Sequence, residues 1–398
     1  LPYNTPHGPM QVPDRWWNKF ENKTLEMLHS DPEMEDEQFT KAALAMCENI
    51  DWNVGRVTSK LKELGLAENT IMIYLSDNGP NSWRWNGGMK GRKGSTDEGG
   101  VRSPMFMAWP GSIMPGKKIE TIAAGIDILP TLLDLAGIQY NQQKPLDGKS
   151  LKPLLLQYNP QWADRFIVNY WKGKVSIRSD QYRLGAQGQL FDMVDDPGQQ
   201  QNIAETKPDI YEIHKAEQKR WEEEAEMELP ENDNRTLPIG HPDFKYTQIP
   251  ARDGKAHGKI KRSNRWPNCS FFTNWTSPED KITWEAEVIN SGDYQVELYY
   301  TCPSSSVGSV FELSFGEARL EGKITEFHDP PLRGMENDRV PRGNSYVKDF
   351  KRLSLGIIHL EQGKGVLELM AKEMTGDQLM DFRLLMLVQD NANELKEN

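Results

Sequence analysis

Thr70-Ile-Met-Ile-Tyr-Leu-Ser-Asp-Asn-Gly79 is a short, continuously apolar run that stops at a polar turn. Such a run is the pattern of a strand buried on both faces of a parallel sheet. Polar groups for chemistry in α/β folds lie beyond the carboxyl ends of strands, and Asp77 and Asn78 occupy such an end. Upstream, Phe39, Ala43, Met46, Ile50, Val54, Val57, Leu61 and Leu64 recur three and four apart. They predict one amphipathic helix from Met34 to a glycine cap at Gly65, with Cys47 a buried thiol on its apolar stripe. Downstream, Pro104-Met-Phe-Met-Ala-Trp109 repeats the buried-strand pattern. Ile126, Leu129, Leu132, Leu133 and Leu135 predict a further helix, with Asp127 at its start and Gly137 at its end. Alternating helices and buried strands make this an α/β region.

Further along, the pattern changes twice. Phe166–Tyr170, Val175–Arg178 and Gln189–Asp192 are short segments divided by Gly and Asp, and predict a small antiparallel sheet. Pro208 to Glu228 predicts a charged helix with a solvated face. Beyond Trp266 the apolar period becomes two, as in Ile282-Trp284-Ala286-Val288, Tyr294-Val296-Leu298-Tyr300 and Leu353-Leu355-Ile357. Repeated short strands with turn signals predict a β-sandwich. The expected domains are an α/β part over 1–160, a sheet-plus-helix subdomain over 161–230, a linker over 231–265 and a β-sandwich over 266–390.

Composition narrows the function classes. The chain has 398 residues, 47 basic and 59 acidic, for a formal net charge of −12. That balance disfavours a nucleic-acid partner. No apolar run approaches the roughly 18 residues of a membrane span. Cys47, Cys269 and Cys302 make neither a disulfide framework nor a zinc-like spacing.

The chemistry gathers around Ser76–Pro80 and the glycine-flanked Gly91-Arg-Lys-Gly-Ser-Thr-Asp-Glu-Gly-Gly-Val-Arg-Ser-Pro104. Asp77 and Asn78 offer two adjacent hard oxygens, suited to Ca²⁺ or Mg²⁺. Asp-Asn-Gly is equally an ordinary turn. Lys93, sixteen residues past Asp77, is placed to return to the same strand end, or is a solvated surface lysine. Trp83-Arg84-Trp85-Asn86, Lys90 and Arg92 suit a loop that reads a ligand, with aromatic faces to stack on a ring and cations to pair with an anion. A surface loop with solvated charges is the other reading.

These motifs also carry a resemblance. "NTPHGP" at Asn4–Pro9, "LKELGLAENT", "SDNGP", "GRKGSTDEGGVRSP", "DILPTLLDLAG" and "LDGKSLKPLL" occur in the order found in type I, formylglycine-dependent sulfatases. Those enzymes belong to the alkaline phosphatase superfamily, and the resemblance runs from Leu1 to about Glu228. It implies part of an α/β/α sandwich and a sulfuric ester hydrolase. It implies that Asp77 and Asn78 complete a Ca²⁺ site, and that His7 and Lys93 contact the sulfate. Asn78 where two-zinc phosphatases carry a histidine favours a single hard cation.

The family's nucleophile motif, C/S-x-P-S-R, whose first residue becomes formylglycine, is absent; Cys302-Pro-Ser-Ser305 lacks the arginine. The family's leading Asp-Asp pair, N-terminal lysine and second histidine are missing too. The expectation is therefore a sulfatase that is incomplete in this chain, a fragment or a processed chain, whose partner is the missing N-terminal segment of the same protein. A pseudo-enzyme is the third possibility. Residues of about 250–390 resemble the β-sandwich appended to polysaccharide sulfatases, which implies a sulfated carbohydrate substrate and a periplasmic or secreted location. That module is either a structural lobe or a sugar surface built on Trp266, Phe272 or Trp275. The alternatives in function are a phosphodiesterase or phosphonate hydrolase of the same superfamily, or a noncatalytic carbohydrate-binding protein.

Overall fold

A computed structural model describes residues 1–141, 144–158, 160–228 and 235–389. The first four residues of the expected linker and residue 390 lie outside the described residues. The chain divides into two compact units. Leu1–His7 and Val12–Glu231 form the first, and Gly8–Gln11 with Asn232–Asn398 form the second.

In the first unit, the short helix α1 (Asp14–Trp17) buries Trp16 and Trp17. The long helix α2 spans Glu37–Glu63. It starts where the Asp36 carboxylate accepts the Phe39 amide at 3.0 Å and ends at Gly65, whose φ of +69° only glycine adopts without strain. Its buried positions, from Thr40 to Ile50, lie in its first half. Cys47, expected to be buried, is exposed. It lies one position off the row of Ala43, Met46 and Ile50, and a helix shows each position to a different side.

Strand β1 (Met72–Leu75) pairs with β2 (Met105–Ala108) from Met72↔Ala108 to Leu75↔Met105. The pairing is antiparallel, which corrects the expected parallel arrangement. The burial is also less than expected: β1 is half-buried, and Phe106 is 65% exposed. These two strands form a sheet of their own, so among the described residues no third strand extends it. Short α3 (Glu98–Val101) precedes β2, and α4 (Ile128–Ala136) ends at Gly137 in the left-handed conformation, as the sequence predicts. Helix α5 covers Lys152–Leu156.

The small sheet runs in order β3 (Ile167–Trp171), β4 (Lys174–Arg178), β5 (Tyr182–Leu184) and β6 (Leu190–Asp192), all antiparallel. Its apolar face holds Val175, Ile177, Leu184 and Leu190. The charged helix α6 (Pro208–Glu228) covers it, placing Ile210, Tyr211 and Trp221 against that cluster. The Gln218 side-chain amide donates to the Val175 carbonyl at 2.9 Å, tying helix to sheet.

The second unit contains two six-stranded sheets. One carries β8 (Tyr246–Pro250), β10 (Lys261–Arg262), β11 (Phe272–Thr273), β13 (Gly292–Thr301), β16 (Lys351–Leu360) and β18 (Asp381–Gln389). The other carries β7 (Leu237–Ile239), β9 (Lys255–His257), β12 (Lys281–Val288), β14 (Val310–Phe315), β15 (Ala318–Lys323) and β17 (Gly363–Glu373). Alternate residues of both sheets, including Ile282, Trp284, Tyr294, Leu298, Phe311 and Leu369, fill one core.

Two expectations are corrected here, and one open alternative is decided. The stretch expected as a linker supplies β7 to β10, because Ile239, Ile249 and Ala251 are fully buried members of the core. Phe272 and Trp275 are buried core residues too, which removes them as sugar platforms; Trp266 is half-exposed. Ile357 is exposed although the alternation placed it inward. A bulge on β16 leaves Leu355 unpaired between Ser354 and Gly356, opposite Glu297 and Val296, and this extra residue resets the alternation so that Ile358 and Leu360 take the inward positions.

Candidate functional site

The site begins where β1 ends. The Ser76 amide donates to the Pro104 carbonyl at 3.3 Å, and the Ser103 hydroxyl donates to the Ser76 carbonyl at 2.6 Å. The chain leaving β1 is thus tied to the chain entering β2. The Gly79 amide then donates to the Gly100 carbonyl at 2.9 Å. A Cβ at position 79 would lie 1.9 Å from the Gly99 carbonyl oxygen, so the turn after Asp77 and Asn78 requires glycine for close approach to α3.

Lys93 comes back to this turn. Its amide donates to the Pro80 carbonyl at 2.9 Å, two residues past Asn78. The Gly99 amide donates to the Lys90 carbonyl at 2.8 Å, and Ser95 closes a turn onto Arg92 at 3.0 Å. The loop from Lys90 to Ser95 is therefore laced to both the turn after Asp77 and Asn78 and α3.

His7 reaches the region from the chain's first residues. Its amide closes a turn on the Asn4 carbonyl at 3.1 Å. Residues 1–7 and 71–77, with Val54 and Val57, line one open depression of about 650 Å³. The structure thus places His7 and Asp77 on the same depression; Asn78 to Pro80 follow along the chain, and the Lys93 amide bonds Pro80. Both His7 and Asp77 are solvent-exposed, as groups meeting an incoming anion or cation need to be.

The remaining sequence candidates make contacts within the loop. The Arg92 guanidinium lies 4.7 Å from the Trp83 ring and donates to the Asn81 carbonyl at 2.9 Å. His29 meets the same indole edge-on at 5.1 Å. Arg84 donates to the Ser82 hydroxyl at 3.1 Å and lies 5.6 Å from the Phe39 ring. The Asn86 amide donates to the Met89 carbonyl at 2.9 Å, holding its own turn. Lys90 sits 3.9 Å from Asp97 and 5.1 Å from the Phe191 ring. Trp85 is half-exposed.

The residues that hold this loop were not legible in the sequence. Glu98, at the start of α3, is buried against Arg183 at 2.8 Å and Arg178 at 3.4 Å. Burial pushes its carboxyl up, and the two guanidinium groups outweigh that and hold it below the usual carboxylate range. Arg183 also donates to the Thr96 carbonyl at 2.8 Å, and the Ser176 hydroxyl reaches the same carbonyl at 2.8 Å. Gln199 accepts the Glu98 amide at 2.8 Å. Arg183 alternates with Tyr182 and Leu184, which face the apolar cluster, so its sequence position reads as an outward one and gave no signal of the buried pair.

Asp127 is a helix-start residue, as expected. Its fully buried carboxylate accepts the amides of Ala124 and Lys149, each at 2.8 Å, and pairs with Arg165. Cys302 is buried in the second unit, where burial pushes its thiol up, the opposite of an activated nucleophile.

Asp77 and Asn78 supply two oxygens, whereas Ca²⁺ takes about six to eight. Among the described residues no group of three His, Cys, Asp or Glu converges. The donor set of this chain does not by itself make a cation site. Among the described residues no helix is long and apolar enough to cross a membrane.

The family described as sulfatase matches residues 1–138, and the family described as N-sulphoglucosamine sulphohydrolase, C-terminal, matches residues 93–227. Steryl-sulfatase of Rattus norvegicus is 37% identical over 139 residues, which are 32% of this chain and 24% of that protein. Arylsulfatase A of Homo sapiens is 39% identical over 144 residues, 34% of this chain and 28% of that protein. The chain thus spans about a quarter of the length of these relatives. The crystal structure of Ps i-CgsB in complex with k-i-k-neocarrahexaose aligns over 55% of this chain and 48% of its own, at 26% identity and a TM-score of 0.46. The first 227 residues thus carry a sulfatase-family region, matched from residue 1, that continues into a sulphohydrolase-type C-terminal region.

Proposed function

We propose that this chain serves the hydrolysis of a sulfate ester on a carbohydrate, with His7 and Lys93 holding the sulfuryl oxygens. The observation that carries this reading is the bond from the Lys93 amide to the Pro80 carbonyl at 2.9 Å. It returns a lysine of surface type to the strand end that bears Asp77 and Asn78.

The chemistry follows from where charge moves. As the S–O bond of a sulfate ester breaks, negative charge grows on the bridging oxygen and on the sulfuryl oxygens. An ammonium and an imidazole fixed beside them stabilise that charge without reorganising, and each such donor is worth about 3–4 kcal/mol. A protonated imidazole can also give its proton to the leaving sugar oxygen. The half-exposed Trp85 offers a stacking surface to a sugar ring, and the sugar named in the second family description supports that substrate class.

The sequence holds no C/S-x-P-S-R, so we place the nucleophile in a segment outside it. Formylglycine there would supply the attacking oxygen. The same segment would complete a Ca²⁺ site to which Asp77 and Asn78 lend two oxygens.

The test compares hydrolysis of an aryl sulfate and an aryl phosphate diester by this chain joined to its nucleophile-bearing segment. Faster sulfate turnover is expected, with Lys93→Ala and His7→Ala each lowering kcat by about a hundredfold. Faster phosphodiester turnover would replace the reading with a phosphodiesterase. Glycan binding without turnover, unchanged by Lys93→Ala, would replace it with a noncatalytic lobe.

A further inference from the structure

The β3–β4 hairpin turns in two residues. Trp171 pairs with Lys174, and both residues between them, Lys172 at φ +48° and Gly173 at φ +79°, lie in the left-handed region. That is the pattern of a type I′ turn, whose first position asparagine or aspartate fills with little strain. Lys172 is exposed, so the fold gains no buried contact from a lysine in this conformation. A strained backbone kept without a packing reason points to a use for the side chain.

The hairpin tip lies beside the candidate site, within the same unit. Successive residues of a strand face opposite ways, and directly paired residues face the same way. Val168 and Val175 face the apolar cluster under α6. Asn169 and Ser176 pair across the hairpin and face the other way, toward the loop that carries Lys93. The Ser176 hydroxyl donates to the Thr96 carbonyl at 2.8 Å, and Asn169 accepts from Arg183, which bonds the same carbonyl. Trp171 and Lys174 are the next pair on that face, and both are exposed. The Trp171 indole nitrogen lies 3.7 Å from where a Cβ would stand on Gly94, the residue after Lys93. The Lys172 ammonium is 5.8 Å from the same indole. Among the described residues neither Lys172 nor Lys174 forms an ion pair.

We propose that Trp171, Lys172 and Lys174 form a second subsite, which takes an acidic sugar unit joined to the sulfated one. The inference rests on the reading of Lys93 as a sulfate ligand and names the neighbouring unit of that substrate. An indole stacks on the apolar face of a sugar ring, and two ammonium groups at its rim meet a carboxylate or sulfate on that ring. Gly94 follows Lys93 directly, so a ring on the indole is a neighbour of the bound sulfate and not a remote contact.

Calorimetry on the whole 398-residue protein tests this with inorganic sulfate, glucose 6-sulfate and three disaccharides. In these, glucose 6-sulfate is joined, in either order, to glucuronic acid, to a second glucose 6-sulfate or to glucose. At least one acidic disaccharide is expected to bind about tenfold more tightly than glucose 6-sulfate, and the neutral one to gain less. The acid that gains more identifies the anion. Trp171→Ala is expected to abolish the gain and leave inorganic sulfate and glucose 6-sulfate unchanged, and Lys174→Gln to lower the acidic gain alone. Lys172→Asn should raise the unfolding midpoint, because Asn-Gly suits the turn, yet lower the acidic gain by about threefold. Stability and binding then move in opposite directions, which a merely structural lysine would not produce. Acidic disaccharides that bind no tighter than glucose 6-sulfate, or a gain that survives all three substitutions, overturn the subsite. Acidic disaccharide binding that is lost in Trp171→Ala but indifferent to Lys93→Ala overturns the sulfate reading of Lys93 instead, and leaves the hairpin as an acidic-sugar site.

Discussion

Arg183 donates from Nε and from Nη2 to one oxygen of the Glu98 carboxylate, at 3.1 and 2.8 Å. Both side chains are almost wholly buried. The pair joins the small antiparallel sheet to the first residue of α3, and α3 is what the Asp77–Gly79 turn leans on. Removing one partner of such a pair leaves the other charged and dry, at a cost of about 3–5 kcal/mol. Glu98→Ala, which strands both Arg183 and Arg178, is expected to destabilise the first unit by that amount in denaturant titrations. The double replacement Glu98→Met with Arg183→Met is expected to lose less than Glu98→Ala alone. A double variant that loses as much would show that the cost lies in packing.

The same group sets a pH dependence. The folded-state pKa of Glu98 is depressed, so its contribution is present above the ordinary carboxylate value of about 4.3 and is lost as pH falls through the folded value. His214 is depressed as well. Burial, first, drives its imidazole down, although it is held by the Ser179 hydroxyl at 3.0 Å and the Ile210 carbonyl at 2.9 Å. The unfolded chain binds the proton more readily, so the stability from His214 is present above about 6.5 and fades as pH falls below it. The unfolding midpoint of the first unit should therefore step down twice on acidification. His214→Gln should remove the upper step and Glu98→Gln the lower; a single step at carboxylate pH would refute the part given to His214.

Gly79→Ala tests the close approach at the candidate site. The new Cβ would lie 1.9 Å from a backbone oxygen, which cannot swing aside as a side chain does. Overpacking of this kind costs about 1–3 kcal/mol and moves the turn that bears Asp77 and Asn78. Sulfate affinity, measured by calorimetry, should fall with it. Gly55→Ala in α2 is the control, because a Cβ there meets nothing within 4 Å. It should raise stability by about 0.5–1 kcal/mol and leave sulfate affinity unchanged.

Much of this was legible because local signals carried it. The helix from Glu37 to Glu63 announced itself by period and by its glycine cap, and the β-sandwich by strict alternation along Lys281–Val288 and Gly292–Thr301. Ordered motifs brought His7, Asp77, Asn78 and Lys93 to notice. Direction of pairing was not legible, since an apolar run such as Thr70–Leu75 reads the same beside a parallel or an antiparallel neighbour. Nor was long-range pairing of polar groups: Glu98 lies 85 residues from Arg183, and Gln11 lies 327 from Asp338. Strands as short as Leu237–Ile239 and Lys255–His257 carry too few residues to show a period, which is why they read as linker.

The two-stranded sheet gives the last expectation. Leu75, Met105 and Phe106 are 44%, 38% and 65% exposed on a pair of strands with no third neighbour among the described residues. Contiguous exposed apolar surface and open strand edges favour association. This chain in isolation should bind a hydrophobic dye and show concentration-dependent mass in sedimentation. Phe106→Lys should lower both, because it places a charge at the most exposed position of β2 while changing stability by no more than about 0.5 kcal/mol. A chain that sediments as a monomer at every concentration and binds no dye would mean that this face is covered within a single chain.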